Sequence, residues 1–272
     1  MTLTLIALVA GALIGLSLGA LGGGGSILAV PVLVYLLGQD PSAATTGSLV
    51  IVGVTSLLGA ATAYRAGNVL LGRGVAFGLV AVGGAVLGAT LSTAVPEPVL
   101  MAAFAVLMLV VGGLMVLRQV RRGGSTPAGD ARLDDPIITF SPTFACQCPR
   151  ALKVLVTATV VGLLTGFLGV GGGFLVVPAL TLALALPMGY AAGTSLVVIT
   201  ITSAVALVVR AGAGAHPDWS LVLVLTAASA VGGVLGARLS ARTDTRRLAA
   251  AFSGLVVLVA AATAVQAIPA LA

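Results

Sequence analysis

The stretch GGGGSILAVP at residues 22–31 returns later in the chain as GVGGGFLVVP at residues 169–178. Adding 147 to a position in the first copy gives its partner in the second. Farther on, LGA at 87–89 matches LGA at 235–237 with an offset of 148. Glycine and proline kept in register over such a distance indicate a duplicated unit, because chance similarity between two apolar sequences would not preserve them.

The composition around this repeat excludes a soluble protein. Of the 272 residues, 59% are hydrophobic and only 7% are charged, whereas a soluble domain is about 25% charged. A net charge of +6 would suggest nucleic-acid binding in a soluble chain, but here the charges report on membrane topology. Because lipid offers no hydrogen bonds, helices must satisfy their own backbone groups. We therefore predict an all-α membrane protein, and we exclude soluble enzymes and nucleic-acid-binding proteins.

The repeat divides the apolar sequence into two sets of five hydrophobic segments. Two of these, at 26–38 and 173–186, are shorter than the roughly 20 residues that a spanning helix needs, which predicts interrupted or re-entrant helices at the glycine-rich loops. A polar, turn-rich stretch separates a first transmembrane repeat (1–118), a linker (119–150) and a second transmembrane repeat (151–272). The ten apolar segments lie at 3–21, 26–38, 42–63, 74–95, 98–117, 152–169, 173–186, 188–209, 219–237 and 247–268.

The placement of charge predicts how the two repeats are oriented. Short loops that are rich in Arg and Lys remain in the cytoplasm. A cytoplasmic linker places twelve of the thirteen basic residues inside, and Asp40, Glu97 and Asp218 outside. Five segments per unit is an odd number, which also requires the second unit to be inverted. We predict two inverted-topology repeats in the inner cell membrane of a prokaryote, with a cytoplasmic linker and both termini outside.

The two glycine runs are the candidate substrate site. Inverted repeats are typical of alternating-access transporters, whose site forms where discontinuous helices of both halves meet. Consecutive glycines destabilise a helix, and the amide N–H groups at the start of the following half-helix favour an anion. The alternative is that these glycines only allow close helix packing. The candidate binding residues in the runs are Gly22, Gly23, Gly24, Gly25, Ser26, Gly171, Gly172 and Gly173.

Hydroxyl side chains at the beginning of one long helix in each half are further candidates, because they can donate to an anion in place of water. The in-register pair Ser48 and Ser195 is favoured; the alternative is helix capping or a bond to the preceding turn. Arg65 and Arg210 are possible counter-ions, although arginines at segment ends usually extend to the membrane interface. The complete hydroxyl set is Thr45, Thr46, Ser48, Thr194 and Ser195.

These motifs resemble the sulfite exporter TauE/SafE family of membrane proteins. The resemblance rests on residues 22–31 and 169–178 with the hydroxyl-rich stretches 44–48 and 192–195 that follow them, and it covers nearly the whole chain outside the linker. It implies a multi-pass transporter for a small anion such as sulfite, sulfoacetate or a related sulfur-containing or organic anion. The expected partners are therefore this anion and the lipid bilayer.

The absence of intramembrane acidic residues and of a nucleotide-binding motif limits the possible transport mechanisms. No acidic residue lies inside an apolar segment, so a carboxylate proton relay is not expected, and no G-x-x-x-x-G-K-[ST] motif exists for ATP-driven pumping. We expect no enzymatic activity, no cofactor and no metal. Two alternatives stay open: a passive anion channel, or a sulfur-relay membrane protein that uses Cys146 and Cys148 of the linker, which have no counterpart in the family pattern.

Overall fold

A computed structural model of the chain describes most of both predicted repeats. It describes no strand in this part of the chain, which is helical apart from short connections, so the all-α prediction is confirmed there. Gly171, Gly172 and nearly the whole linker lie outside the described residues. The described residues are 2–92, 106–107, 109–114, 117, 148–168, 173–184, 186–210, 217–244 and 247–259.

Four α-helices with continuous bounds form most of the described part of the first half, and residues 106–107, 109–114 and 117 are helical as well. They are apolar on all sides, as expected for helices that contact lipid and protein rather than water. Their bounds are α1 Thr2–Leu21, α2 Gly24–Pro31, α3 Pro41–Arg65 and α4 Leu71–Ser92.

The second half repeats this order, and its last helix has the same place in the order as the helical residues 106–107, 109–114 and 117 of the first half. The predicted short segments are short helices here: α2 and its counterpart α6 each end at a proline, Pro31 or Pro178, and each continues as one π-helical turn. Proline has no N–H to donate, so it interrupts the hydrogen-bond ladder at the same place in both halves. The bounds are α5 Cys148–Leu168, α6 Gly173–Pro178, α7 Met188–Arg210, α8 Trp219–Arg242 and α9 Arg247–Val259, with π-helical turns Val32–Leu36 and Ala179–Ala183.

Four of these helices are long and apolar enough to cross a membrane: Ala43–Arg65, Leu71–Gly88, Met188–Arg210 and Trp219–Arg242. Large apolar side chains such as Leu79 of α4 and Val208 of α7 are exposed on the outside of the protein. An apolar outer surface of this kind is stable in lipid and not in water.

The first helix of one half packs against the fourth helix of the other. Gly15 of α1 lies against the carbonyl of Ser229 in α8, and one turn later Gly19 lies against the carbonyl of Gly233. A Cβ at either glycine would overlap these carbonyls. Because both contacts advance by four residues, α1 and α8 run parallel, at a distance that only glycine permits.

The corresponding pair, α5 and α4, repeats this interface. Gly162 of α5 lies against the carbonyl of Ala81 in α4, and Gly166 lies against that of Ala85. All four positions are the counterparts of those in the α1–α8 pair. Each half therefore contributes one helix to the packing of the other, and the two halves form a single body.

Helix α3 and its counterpart α7 cross near their middles and run in opposite directions. The hydroxyls of Ser56 and Thr200 lie 3.0 Å apart. Gly53, which precedes Ser56 in α3, faces Ser203, which follows Thr200 in α7. A Cβ on Gly53 would be 3.4 Å from the Cβ of Ser203. An earlier residue of one helix thus faces a later residue of the other, so α3 and α7 are antiparallel.

Candidate functional site

The first glycine run forms a sharp corner that is attached to the other half of the protein. Gly22 has φ +74°, a left-handed conformation that favours glycine. The Ser195 hydroxyl, at the second turn of α7, lies 2.6 Å from the Gly22 carbonyl and 2.7 Å from that of Ala192. One hydroxyl proton therefore bridges the corner and α7, and Ser195 is fully buried.

Most glycines of the corner have a direct packing reason. A Cβ on Gly23 would overlap the carbonyl of Gly173, and a Cβ on Gly25 would overlap that of Ile14. Gly24 differs, because a Cβ there would meet only side chains, the nearest being Cδ2 of Leu255 at 2.8 Å. Close packing, the alternative weighed from the sequence, thus accounts for Gly23 and Gly25 and leaves Gly24 as the sterically least restricted position.

The two short helices meet at their first turns. Ser26 and Gly173 are counterparts in the repeat, and a Cβ on Gly173 would lie 2.6 Å from the Ser26 hydroxyl oxygen. That hydroxyl donates to the Gly23 carbonyl at 2.7 Å. No side chain caps the start of α2, and the first amides of a helix have no partner within it. The meeting point therefore holds the positive end of α2.

The remaining hydroxyls are placed differently from one another. Ser48 is buried and donates to the Thr45 carbonyl at 2.8 Å, a bond within its own helix. The backbone N–H of Leu70 donates to the Thr194 hydroxyl at 3.1 Å, which ties α7 to the beginning of α4. Thr45 is half-buried and Thr46 is buried, both in the first turns of α3.

Ser48 and Ser195 do not lie together. The Ser56–Thr200 contact sets the alignment of α3 with α7. With that alignment, the two serines are about 13 residues apart along the antiparallel pair, or ~20 Å. The structure brings Ser195 together with Gly22 and places Ser48 toward the other end of the pair, where its neighbour Gly47 faces Val222 of α8.

A cavity that sequence reasoning did not identify opens beside α7. It has a volume of about 70 Å³, and a site for one water needs only ~10–15 Å³. Its polar lining comes from Thr165, Thr202 and Arg210, and we name it the Arg210 cavity. Leu49, Ala85 and Ala206 also line it.

The two threonines of this cavity are hydrogen-bonded, whereas its one charged side chain, Arg210, has no described partner of opposite charge. Thr165 donates to the Val161 carbonyl at 2.6 Å, and Thr202 donates to the Val198 carbonyl at 3.1 Å. Arg210, the last residue of α7, is half-buried and makes no ion pair with any residue that the structure describes. Two signals were present in the sequence: Arg210 as a possible counter-ion at the end of an apolar segment, and the alignment of Thr202 with Thr55 at the offset of 147.

The counterpart of this cavity is closed. The equivalents of Thr165, Thr202 and Arg210 are Leu18, Thr55 and Ala63, which we name the Thr55 groove. Leu18 and Thr55 are 0% exposed, whereas their equivalents in the cavity, Thr165 and Thr202, are 9% and 7% exposed. The Thr55 hydroxyl has no hydrogen-bond partner within the described chain, an arrangement that is rare for a buried polar group and calls for an explanation.

No acidic side chain lies within the spanning helices that the structure describes. Asp40, Asp218 and Asp244 are exposed and lie outside the spanning helices. The side chain and backbone of Ser220 donate to Asp218 and lower the pKa of its carboxyl group, so it stays ionised at neutral pH. Within the described residues no three His, Cys, Asp or Glu side chains form a metal site; Cys146 lies outside them.

Comparison with known proteins gives a consistent result. The family model described as "Sulfite exporter TauE/SafE" matches residues 7–263. A protein of Xylella fastidiosa (strain Temecula1 / ATCC 700964) named "Probable membrane transporter protein" is 32% identical over 92% of this chain and 90% of its own length. The "Probable membrane transporter protein YunE" of Bacillus subtilis (strain 168) is 29% identical over 90% and 89%. No solved structure gives a significant match.

Proposed function

The chain belongs to the TauE/SafE sulfite exporter family of membrane transporters, and from this premise we propose that it carries a small sulfur-containing anion of the sulfite or sulfonate type. The proposed binding site is the meeting point of α2 and α6, where the amides at the start of α2 lie beside Ser26 and Gly173. The proposed transport mode is alternating access by two inverted repeats. We place the linker in the cytoplasm and the protein in the inner membrane of a prokaryote.

The single observation that carries the site is the contact between the counterparts Ser26 and Gly173. A contact between equivalent residues lies where the two halves are related to each other, which is where inverted-repeat carriers bind substrate. The positive end of α2 is directed to this point and favours an anion. No carboxylate lies inside the described spanning helices, which is consistent with a negatively charged substrate.

Helix directions support inversion of the second repeat. An inverted unit requires α3 to oppose its counterpart α7, and it requires α1 to run with α8, the counterpart of α4. The Ser56–Thr200 and Gly15–Ser229 contacts have these directions. The distribution of basic loops is consistent with the same arrangement, because inversion places both the loop with Arg73 and the loop after Arg242 in the cytoplasm.

A carrier is favoured over a passive channel by the unequal state of the two equivalent grooves. A channel needs a path that is open at both ends, whereas a carrier exposes one side at a time. The Arg210 cavity is open, and Thr55 in the corresponding groove is buried. The unpartnered Thr55 hydroxyl is explained if this groove opens to water in a second conformation.

Purified protein in liposomes tests the proposal with radiolabelled sulfite, sulfoacetate, chloride and a neutral amino acid. We expect saturable uptake of one or both sulfur anions, and acceleration of that uptake by unlabelled anion inside, as only a carrier produces. Gly25→Val supplies an inactive control, because its side chain would overlap the Ile14 carbonyl. Uptake of the neutral solute alone would refute the anion assignment, and uptake without acceleration would favour a channel.

A further inference from the structure

The Arg210 cavity has the chemistry of a binding site that is separate from the meeting point of α2 and α6. Thr202 lies eight residues before Arg210 on α7, so the cavity reaches ~12 Å from the end of that helix toward its middle. Among the residues that the structure describes, one charged side chain lines it, and that side chain is a cation. Such a charge in an apolar wall is unfavourable unless a partner of opposite sign is present for part of the time.

The counterpart groove shows that the charge is not a requirement of the fold. At the position of Arg210 the first half has Ala63, and at the position of Thr165 it has Leu18. Both are buried in an ordinary apolar contact. The repeat therefore folds without the arginine and the threonine, and their presence on one side alone points to a function on that side.

We propose that the Arg210 cavity, at the end of α7 that the predicted topology places outside the cell, is the loading site for inward movement of an oxyanion and its release site for outward movement. The guanidinium of Arg210 binds the anion on its way to or from the meeting point of α2 and α6. This inference rests on the proposed function, since it assumes that an anion is carried. The planar guanidinium presents paired N–H donors that match two oxygens of a sulfite, sulfonate or carboxylate group. A spherical halide lacks the second acceptor and gains less.

The two threonines supply hydroxyl contacts deeper in the cavity. Each now donates to a carbonyl one turn earlier in its own helix. A small rotation of the side chain transfers that donor to the anion, while the carbonyl keeps its helical N–H partner. Thr202 also precedes Ser203, whose buried hydroxyl has no partner in the described part of the chain, so donors continue toward the crossing of α3 with α7.

The test measures binding of sulfite and sulfoacetate to purified protein in phospholipid-free detergent, followed by uptake in liposomes. We expect Arg210→Gln to weaken binding of the anion roughly tenfold to a hundredfold, as loss of a charged hydrogen bond does. Arg210→Lys keeps the charge and should recover part of the affinity, but it should lose preference for oxyanions over chloride. Thr202→Val, which keeps the side-chain shape, should weaken binding a few-fold.

Arg242→Gln is the matched control, because Arg242 ends α8 as Arg210 ends α7 and is exposed. It should bind and transport the anion as the unchanged protein does. Equal affinity in Arg210→Gln and the unchanged protein, with transport intact, would overturn the loading site and leave the proposed function standing. If Arg210→Gln instead abolished only the retention of an anionic phospholipid, Arg210 would be a lipid contact and the inference would be wrong. If the unchanged protein bound and transported no anion, the proposed function would fail first and the loading site with it.

Discussion

The Arg210 cavity and the Thr55 groove are built from equivalent residues, yet one is open and the other is closed. In the Thr55 groove, Gly233 lies so close that a Cβ on it would be 2.6 Å from Cγ2 of Thr55. The equivalent position of the cavity is Ala85, whose methyl group lines the open space. A glycine therefore allows the helices to approach closely in the groove, and an alanine methyl group prevents this approach in the cavity.

A second pair of residues repeats the same exchange. Leu196 lies so close to Gly59 that a Cβ on this glycine would be 3.1 Å from Cδ1 of Leu196. The equivalent of Gly59 is Ala206, which lines the open cavity together with Leu49. Two methyl groups thus separate a closed groove from an open one within nearly the same framework. Protein interiors respond to changes of one methyl group, so these two exchanges are large enough to decide whether the space between the helices is filled or open.

The largest effect is expected where the two halves do not differ at all. Gly15→Val and Gly162→Val each place a side chain on a backbone carbonyl of the partner helix, and we expect each to cost about 3 kcal/mol or more and to reduce folded protein in the membrane severely. Thermal unfolding in detergent measures the change. Gly83→Val on α4 is the control, because nothing lies within 4 Å of a Cβ there. A stable Gly15→Val protein would show that the α1–α8 contact is not required.

Chemical labelling tests the open and closed grooves directly. In a background where Cys146 and Cys148 are serine, a cysteine at Thr202 should react with a water-soluble maleimide at least about tenfold faster than a cysteine at Thr55. This ratio corresponds to ~1.4 kcal/mol for opening the closed groove. Gly233→Ala, which introduces the missing methyl group, should accelerate labelling at Thr55 and leave Thr202 unchanged. Equal rates at both positions would remove the distinction on which the carrier mechanism depends.

Replacing Ser195 and replacing Ser48 by alanine should reduce the stability of the protein by different amounts. Ser195→Ala removes the bond between α7 and the Gly22 carbonyl, and leaving that buried group without its donor costs about 1–3 kcal/mol. Ser48→Ala removes only a bond within its own helix and should cost less than about 0.5 kcal/mol. Chemical denaturation of the purified proteins compares them. If Ser48→Ala were the more damaging change, its hydroxyl would have a partner that the Thr45 bond does not explain.

The smallest effect is expected in the linker. Replacing Cys146 and Cys148 together by serine should leave anion uptake within about twofold of the unchanged protein, because the proposed site and loading site contain no thiol. Uptake in liposomes with matched protein amounts measures this. Loss of transport with normal membrane insertion would instead favour the sulfur-relay function.

The sequence by itself determined the features that depend on local composition and spacing. Low charge and long apolar runs predicted an all-helical membrane protein, and the repeat of 22–31 at 169–178 predicted two similar halves with an interruption near Gly22 and short helices after it. The family resemblance is confirmed by the match over residues 7–263. Helix ends moved by only a few residues, because lipid requires each segment to satisfy its own backbone hydrogen bonds.

Tertiary structure decided which parts of the two repeats meet. The sequence could not separate Gly24 from Gly23 and Gly25, because close packing depends on backbone atoms that come from elsewhere in the chain. It grouped Ser48 with Ser195, which lie toward opposite ends of the α3–α7 pair. It left Arg210 as either a counter-ion or an interface residue, since a segment end looks alike whether it borders water or a cavity. Contacts between distant segments, such as Ser195 with Gly22, have no local signature, and they position the candidate site.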